Sequence, residues 1–349
     1  MGYPHLAQVA AALFEHGADY CLFRERGYLD AGTAGWPSRL RRSTRSLARV
    51  AVDSMRLMRA RITGNYDLVI ACDNMAFVVA SMLFPRVVLW SFDFMTADPE
   101  RPSAAGQRMS SSRVGSMLRR NRRLIIQDRD RLELFRKTFL GTSAAMELDV
   151  FLLPVSLLRS PARSRRTPQA RPTLLQLGGI SRTRSHSDLL LDDYQRNSID
   201  YELVFHGYVD AEMSRRIDAA GSRPRVSARV VAPTEVFQVV ETCDMGFLAY
   251  NSERPDFHYI ANASGQLVEF LRCGKPVIAF GRSNLRQLIE SERIGVHIDG
   301  VSELRDAIRT IAADYEAFSR NCLRLFAERY DLGKRIPPLL DWLATQGRD

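Results

Sequence analysis

Short apolar or β-branched runs alternate along this chain with stretches of helical periodicity, the pattern of a βαβ protein built on parallel sheets. In the first half the runs predict strands over Asp19–Phe23, Asp67–Cys72, Arg86–Trp90, Leu124–Gln127 and Val150–Leu153. In the second half they predict strands over Thr173–Leu177, Glu202–His206, Ala228–Val231, Met245–Tyr250, Pro276–Phe280 and Val296–Ile298. Helical segments fall between them. Arg159–Pro172 (RSPARSRRTPQARP) is rich in Pro, Ser and Arg and empty of large apolar residues, as an exposed interdomain connection is. This divides the chain into a domain at 1–158, a linker at 159–172 and a second domain at 173–332. A long helical pattern from Ser302 to Tyr330 then precedes a break at Gly333. A last amphipathic piece, Ile336–Ala344, opened by Pro337 and Pro338, needs a surface to pack on.

One element of a doubly wound domain is missing from the pattern. Such domains open with an apolar strand feeding a glycine-containing loop, whereas this chain begins MGYPHLAQVAAALFEHGADYCLF, which reads as the loop and first helix. Either the start lies too far downstream or the first sheet is built short.

Composition narrows the class. With 349 residues, 46% hydrophobic and 9% aromatic, the chain has a two-domain length and enough apolar side chains for real cores, which excludes a disordered protein. The net charge is +9, and of 49 basic residues only Lys137, Lys275 and Lys334 are lysines, leaving 46 arginines. Arginine forks onto phosphate and carboxylate, so anionic partners fit, although genomic base composition alone also produces such a bias. Five scattered cysteines without C-x-x-C spacing suit a reducing cytoplasm. No run reaches the ~18 apolar residues of a membrane span, and the N-terminus lacks the apolar core of a signal peptide.

The chemistry concentrates in Asn262–Ala279 (NASGQLVEFLRCGKPVIA). Ser264 is a good N-cap, Gly265 permits close approach to the backbone, and Leu267, Phe270 and Leu271 form a buried helix face. Gly274 ends the helix and Pro276 opens a buried strand. A helix start behind a polar loop offers free N–H groups and a positive dipole end to a diphosphate, and Glu269 is placed one turn in to accept from sugar hydroxyls. Upstream, Gly178-Gly179 is followed by Arg182 and Arg184, two guanidinium groups suited to neutralising a departing diphosphate.

The Asn262–Ala279 segment resembles the C-terminal domain of GT-B glycosyltransferases, particularly the retaining family 4, whose members carry N-x-S-x-x-L-x-E-F/Y-x-x-x-G-K-P-V-I. Leu175–Gly179 (LQLGG) looks like that family's first C-domain strand and glycine turn, Cys243–Tyr250 (CDMGFLAY) like the strand before the donor loop, and Ala317–Tyr330 like its closing helix. The resemblance implies two Rossmann-like doubly wound α/β domains facing a cleft. The first holds a glycan, lipid-linked or small-molecule acceptor, the second a nucleotide-sugar donor, and residues 333–349 return to the first domain. It assigns the donor's ribose to Glu269, and its diphosphate to Gly265, Gln266 and Leu267, with Asn262, Ser264, Gly178, Gly179 and Arg184 lining the donor site. Arg182 is the group expected to stabilise the leaving diphosphate. It also implies transfer without a metal or a cofactor, since the nucleotide sugar is a substrate.

Two positions depart from the family pattern. Eight residues before Glu269, where an E-x7-E motif has its first glutamate, stands Ala261. After the strand ending at Trp90, where the family places a histidine facing the donor sugar, the chain reads Ser91-Phe92-Asp93-Phe94, and Asp93 is the ionisable candidate.

Outside these motifs His258 precedes the donor segment, but the six histidines show no H-x-x-x-H or carboxylate spacing for zinc. Arg39–Arg61 sets eight arginines against Asp53 with apolar residues interspersed, fit either for an anionic membrane surface or for a solvated helix, and Arg113–Arg123 adds a second basic cluster. The expected location is the cytoplasm, peripheral to the inner face of the plasma membrane, and the expected role is sugar transfer in surface-polysaccharide, glycolipid or natural-product assembly. Two rivals share the scaffold: a nucleotide-sugar epimerase, and a catalytically idle subunit favoured by Ala261. A nucleic-acid-binding protein is disfavoured because the arginines gather on no single recognition element and no RNP-like pattern of aromatic and basic residues occurs.

Overall fold

A computed structural model describes residues 4–17, 58–59, 61–64, 66–72, 74–92, 113–141, 146–159, 171–197, 199–221, 224–227, 231, 235–251 and 255–347. Its strands in chain order are β1 (Val69–Cys72), β2 (Val87–Trp90), β3 (Arg123–Ile126), β4 (Asp149–Leu152), β5 (Thr173–Ile180), β6 (Glu202–Val209), β7 (Arg225–Ser227), β8 (Met245–Ala249), β9 (Val277–Phe280) and β10 (Gly295–Ile298). All pair in parallel, the first four in order β1-β2-β3-β4 and the other six in order β10-β9-β8-β5-β6-β7. The chain divides into two units at Pro154/Val155 rather than at 158. The N-terminal unit takes Val9–Pro154 with Lys334–Asp349, and the C-terminal unit takes Val155–Gly333 with the chain up to Gln8.

Parallel strands covered on both faces read as apolar runs, and the C-terminal unit shows why. One face of its sheet packs Leu175, Leu177 and Val204 against Leu267, Phe270 and Leu271. The other packs Leu174, Leu203 and Phe205 against Leu190, Leu191 and Ile308. Two glycines let these layers close. A Cβ on Gly246 would stand 2.6 Å from the Phe270 ring, and one on Gly295 would stand 1.8 Å from the Val277 carbonyl oxygen. In the N-terminal unit Phe77, Val87, Leu89, Leu118, Leu124 and Phe135 make up the core.

Several expectations are corrected. β5 does not stop at Leu177 before a glycine turn, because Gly178 at φ 101° bends the strand while it stays in register with Gly207, and pairing runs on to Ile180. β7 lies at Arg225–Ser227, just ahead of the expected Ala228–Val231, whose residues 228–230 fall outside the described residues. The Asp19–Phe23 strand also falls outside them. The Ser302–Tyr330 pattern is broken by Asp314 at φ −132° into the helix Leu304–Ala313 and the helix Tyr315–Leu325, which runs on as a wider π-helical turn over Phe326–Tyr330.

The final break comes at Asp331, not Gly333. Asp331 is extended and its Oδ1 accepts from the Gly333 amide at 3.1 Å, a cap that starts the Leu332–Gln346 helix and puts both prolines inside it. Within the N-terminal unit this helix meets β4: Trp342 Nε1 donates to Asp149 Oδ1 at 2.9 Å, and Gln346 Nε2 to Asp149 Oδ2 at 2.6 Å. Among the described residues no helix is long and apolar enough to cross a membrane.

Candidate functional site

In the six-stranded sheet the chain order reverses at β5, which lies between β8 and β6. Ligands of open parallel sheets bind outside the carboxyl ends of the strands at such a reversal. The candidate site is therefore built by the segments that leave the carboxyl ends of β5 and β8. These two loops are laced together, since the Asn251 amide donates to Arg184 O at 3.1 Å and Asn251 Nδ2 to Thr183 O at 2.6 Å.

After β5 comes a run of hydroxyls that closes a tight turn. Ser185 Oγ donates to Gly179 O at 2.6 Å and lies 2.9 Å from Ser187 Oγ, while the Ser181 amide reaches both hydroxyls at 3.2 and 3.1 Å. Gly179 has nothing within 4 Å of the place a Cβ would occupy, so its backbone borders open space. Arg182 is exposed and already balanced by acids: its Nε lies 3.6 Å from Asp188 Oδ2 and its Nη1 3.4 Å from Glu212 Oε1. Arg184 is exposed on the same short helix, Arg182–Ser185.

After β8 the chain reaches the Gly265–Arg272 helix. Ser264 caps it, its Oγ accepting from the Leu267 amide at 3.0 Å, while Ser264 O accepts from Val268 at 3.2 Å. The Val268 bond is the first of the helix ladder, and of the four amides ahead of it the cap serves Leu267 alone, so those of Gly265 and Gln266 at the helix tip have no acceptor within the helix. Leu267 is thereby corrected as a phosphate ligand, because its amide serves the cap and its side chain is fully buried. A Cβ on Gly265 would meet nothing within 4 Å, so the helix tip borders open space.

Tyr250, the residue after β8, was not singled out by the sequence. Its hydroxyl lies 2.6 Å from Ser264 Oγ and donates to Gln266 Oε1 at 3.4 Å, and burial raises its ionisation above the ordinary tyrosine range. A polar ring at the carboxyl end of a buried strand was the available signal.

Glu269 lies within this helix, only 2% exposed. Arg272 Nε donates to Glu269 Oε2 at 2.7 Å and Nη2 stands 2.5 Å from the same oxygen, whereas Oε1 is buried without a hydrogen-bond partner. Burial pushes the carboxyl up to about 7 against the opposing pull of Arg272. Arg272 is a second residue the sequence reading passed over, although a charge in an apolar helix three residues after Glu269 was legible.

Other expected residues lie elsewhere. Asn262 is a brace, its Oδ1 accepting from Tyr330 Oη at 2.9 Å and its carbonyl from the Val155 amide at 2.9 Å. His258 is exposed, ending the Pro255–His258 turn of helix. Asp93 and most of Arg39–Arg61 lie outside the described residues, of which Arg59 and Arg61 are exposed. Among the described residues no group of three or more His, Cys, Asp or Glu is arranged to hold a metal ion.

No protein-family model and no curated protein matches the chain. Solved structures do. Sucrose-phosphate synthase from Thermosynechococcus elongatus superposes with a TM-score of 0.66 at 15% identity, over 98% of this chain and 93% of that one. Anabaena HepE in complex with UDP-glucose gives 0.60 at 16% identity, over 86% and 84%. WaaG, a glycosyltransferase involved in lipopolysaccharide biosynthesis, gives 0.59 at 12% identity, over 93% and 90%. At these identities it is the architecture that is shared: the chain has the α/β fold of the GT-B glycosyltransferases.

Proposed function

We propose that the protein is a glycosyltransferase that takes a sugar from a nucleotide-activated donor held in the C-terminal unit. One observation carries the reading. At the chain reversal of the sheet, open backbone at Gly179 and Gly265 faces space with two helix-tip amides and, one turn in, a buried carboxylate oxygen without a donor. A diphosphate suits the first feature and a ribose hydroxyl the second. HepE, of the same fold, has been solved with UDP and with UDP-glucose.

Gly178, Gly179, Ser264, Gly265 and Gln266 border the diphosphate, Glu269 takes the ribose, and Arg182, with Arg184 beside it, neutralises the leaving nucleoside diphosphate without a metal. The pairs to Asp188 and Glu212 compete with that role of Arg182. Retention of configuration, a glycan, lipid-linked or small-molecule acceptor, and association with an anionic membrane surface through Arg39–Arg61 belong to the same proposal. The idle-subunit reading keeps one supporting observation, Ala261, a buried alanine where the family pattern has an acid.

The test is a thermal-shift panel of nucleotide sugars followed by chromatography of released nucleotide. One nucleotide sugar should raise the melting temperature and slowly release its nucleoside diphosphate. Stabilisation without release would favour the idle subunit, and neither would end the reading.

A further inference from the structure

We infer that Arg272 is a positioning residue of the donor site, holding Glu269 by one oxygen so that the other is presented to a ligand hydroxyl. The inference rests on the donor reading above and names a residue which that reading does not use.

The geometry is specific. An arginine and a carboxylate commonly pair as two forks, one N–H to each oxygen. Here Nε at 2.7 Å and Nη2 at 2.5 Å converge on Oε2 alone. Oε1 is left buried without a partner, an unfavourable state where nothing supplies the missing donor. The guanidinium is itself fixed by other elements, with Nη1 3.4 Å from Leu158 O and its carbon 5.1 Å from the centre of the Phe237 ring. Rotation that would share its protons with Oε1 would break those contacts. Residues three and four apart share a helix face, which puts Gly265 and Gln266 on the same side as Glu269 and Arg272 on its far flank.

Arg272 also favours the charged form of the carboxylate. Burial favours the neutral acid, Arg272 opposes it, and the balance sits near neutrality, at about 7. Cys273 is the adjoining titratable group. Its thiol is raised by burial and by the charges of Glu269, Glu241 and Cys243, and lowered by Arg272. A guanidinium does not lose its proton in proteins, so Arg272 supplies a charge that is constant with pH.

The test is calorimetric titration of UDP-glucose, GDP-mannose and ADP-glucose from pH 6 to pH 9. Their diphosphates carry no proton that leaves near neutrality, so a slope there belongs to the protein. Wild-type affinity should fall about tenfold from pH 8 to pH 6 as Glu269 takes up a proton. E269Q should bind weakly and without that slope. R272M should move the midpoint upward, with affinity partly regained at high pH, and R272K should restore part of the wild-type profile. Variants at 272 that keep the wild-type profile overturn the inference. If neither variant folds, a flat wild-type profile, or a slope that survives in E269Q, overturns it instead. Failure of the wild type to bind any nucleotide sugar of the thermal-shift panel, these three included, would remove the donor reading itself, and the inference with it.

Discussion

The hydroxyls of Tyr250 and Ser264, 14 residues apart in sequence, lie 2.6 Å from each other. The end of β8 is thereby tied to the cap of the helix that carries Glu269. Replacing Ser264 by alanine removes this bond and the cap to Leu267, and is expected to cost about 1–2 kcal/mol in denaturant melts. Nucleotide-sugar affinity should fall with it. Tyr250→Phe keeps the cap and should cost about 1 kcal/mol.

Gly265 separates a folding role from a ligand role. Its Cβ would meet no atom, and alanine is a better helix former than glycine by about 1 kcal/mol. Gly265→Ala should therefore melt no lower than the wild type while binding the donor more weakly, and Gly265→Val should bind weaker still. Unchanged affinity in both would show that no ligand touches the helix tip.

Arg182 makes exposed ion pairs, which contribute about 0–1 kcal/mol. Arg182→Ala is predicted to leave the melting curve nearly in place and to lower turnover more than donor affinity. Steady-state kinetics with matched binding measurements decide it, and intact turnover would take Arg182 out of the mechanism.

Gly295 is the opposite of Gly265. A Cβ there would stand 1.8 Å from the Val277 carbonyl oxygen, so alanine must push β10 off β9. The expected loss is about 3 kcal/mol or more, read as reduced soluble yield or an early urea transition.

Acidification should act through His5, whose burial lowers its ring from 6.5 to about 3. Between those values the unfolded chain binds the proton and the folded chain does not, so stability is fully present above pH 6.5 and falls as pH drops toward 3. Burial lowers His206 as well and acts in the same direction. Glu269, raised from 4.5 to about 7, acts oppositely, since the folded chain is then the better proton binder and stability falls as pH rises through that window. Urea melts of His5→Gln and wild type should converge as the pH is lowered, at about 1.4 kcal/mol per pH unit at most. Parallel curves would show that His5 does not titrate in the fold.

Local and periodic features could be read from the residues alone. Strands buried on both faces are apolar throughout, so Val277–Phe280 and Met245–Ala249 are legible without coordinates, and Ser264 followed by Gly265 and an apolar helix face marks a cap. Meetings between distant segments needed the folded chain. The pairing of Gly178 with Gly207 extends β5, and the acceptance of the Gly333 amide by Asp331 moves the final helix start. Neither leaves a periodic trace. The same holds at the candidate site, where Glu269 appears in the sequence as a carboxylate ready for a ligand. Which of its oxygens is taken depends on the direction in which Arg272 is held by Leu158 and Phe237, residues distant in the chain, and hydrogen-bond direction is a property of packing that no spacing of residue types encodes.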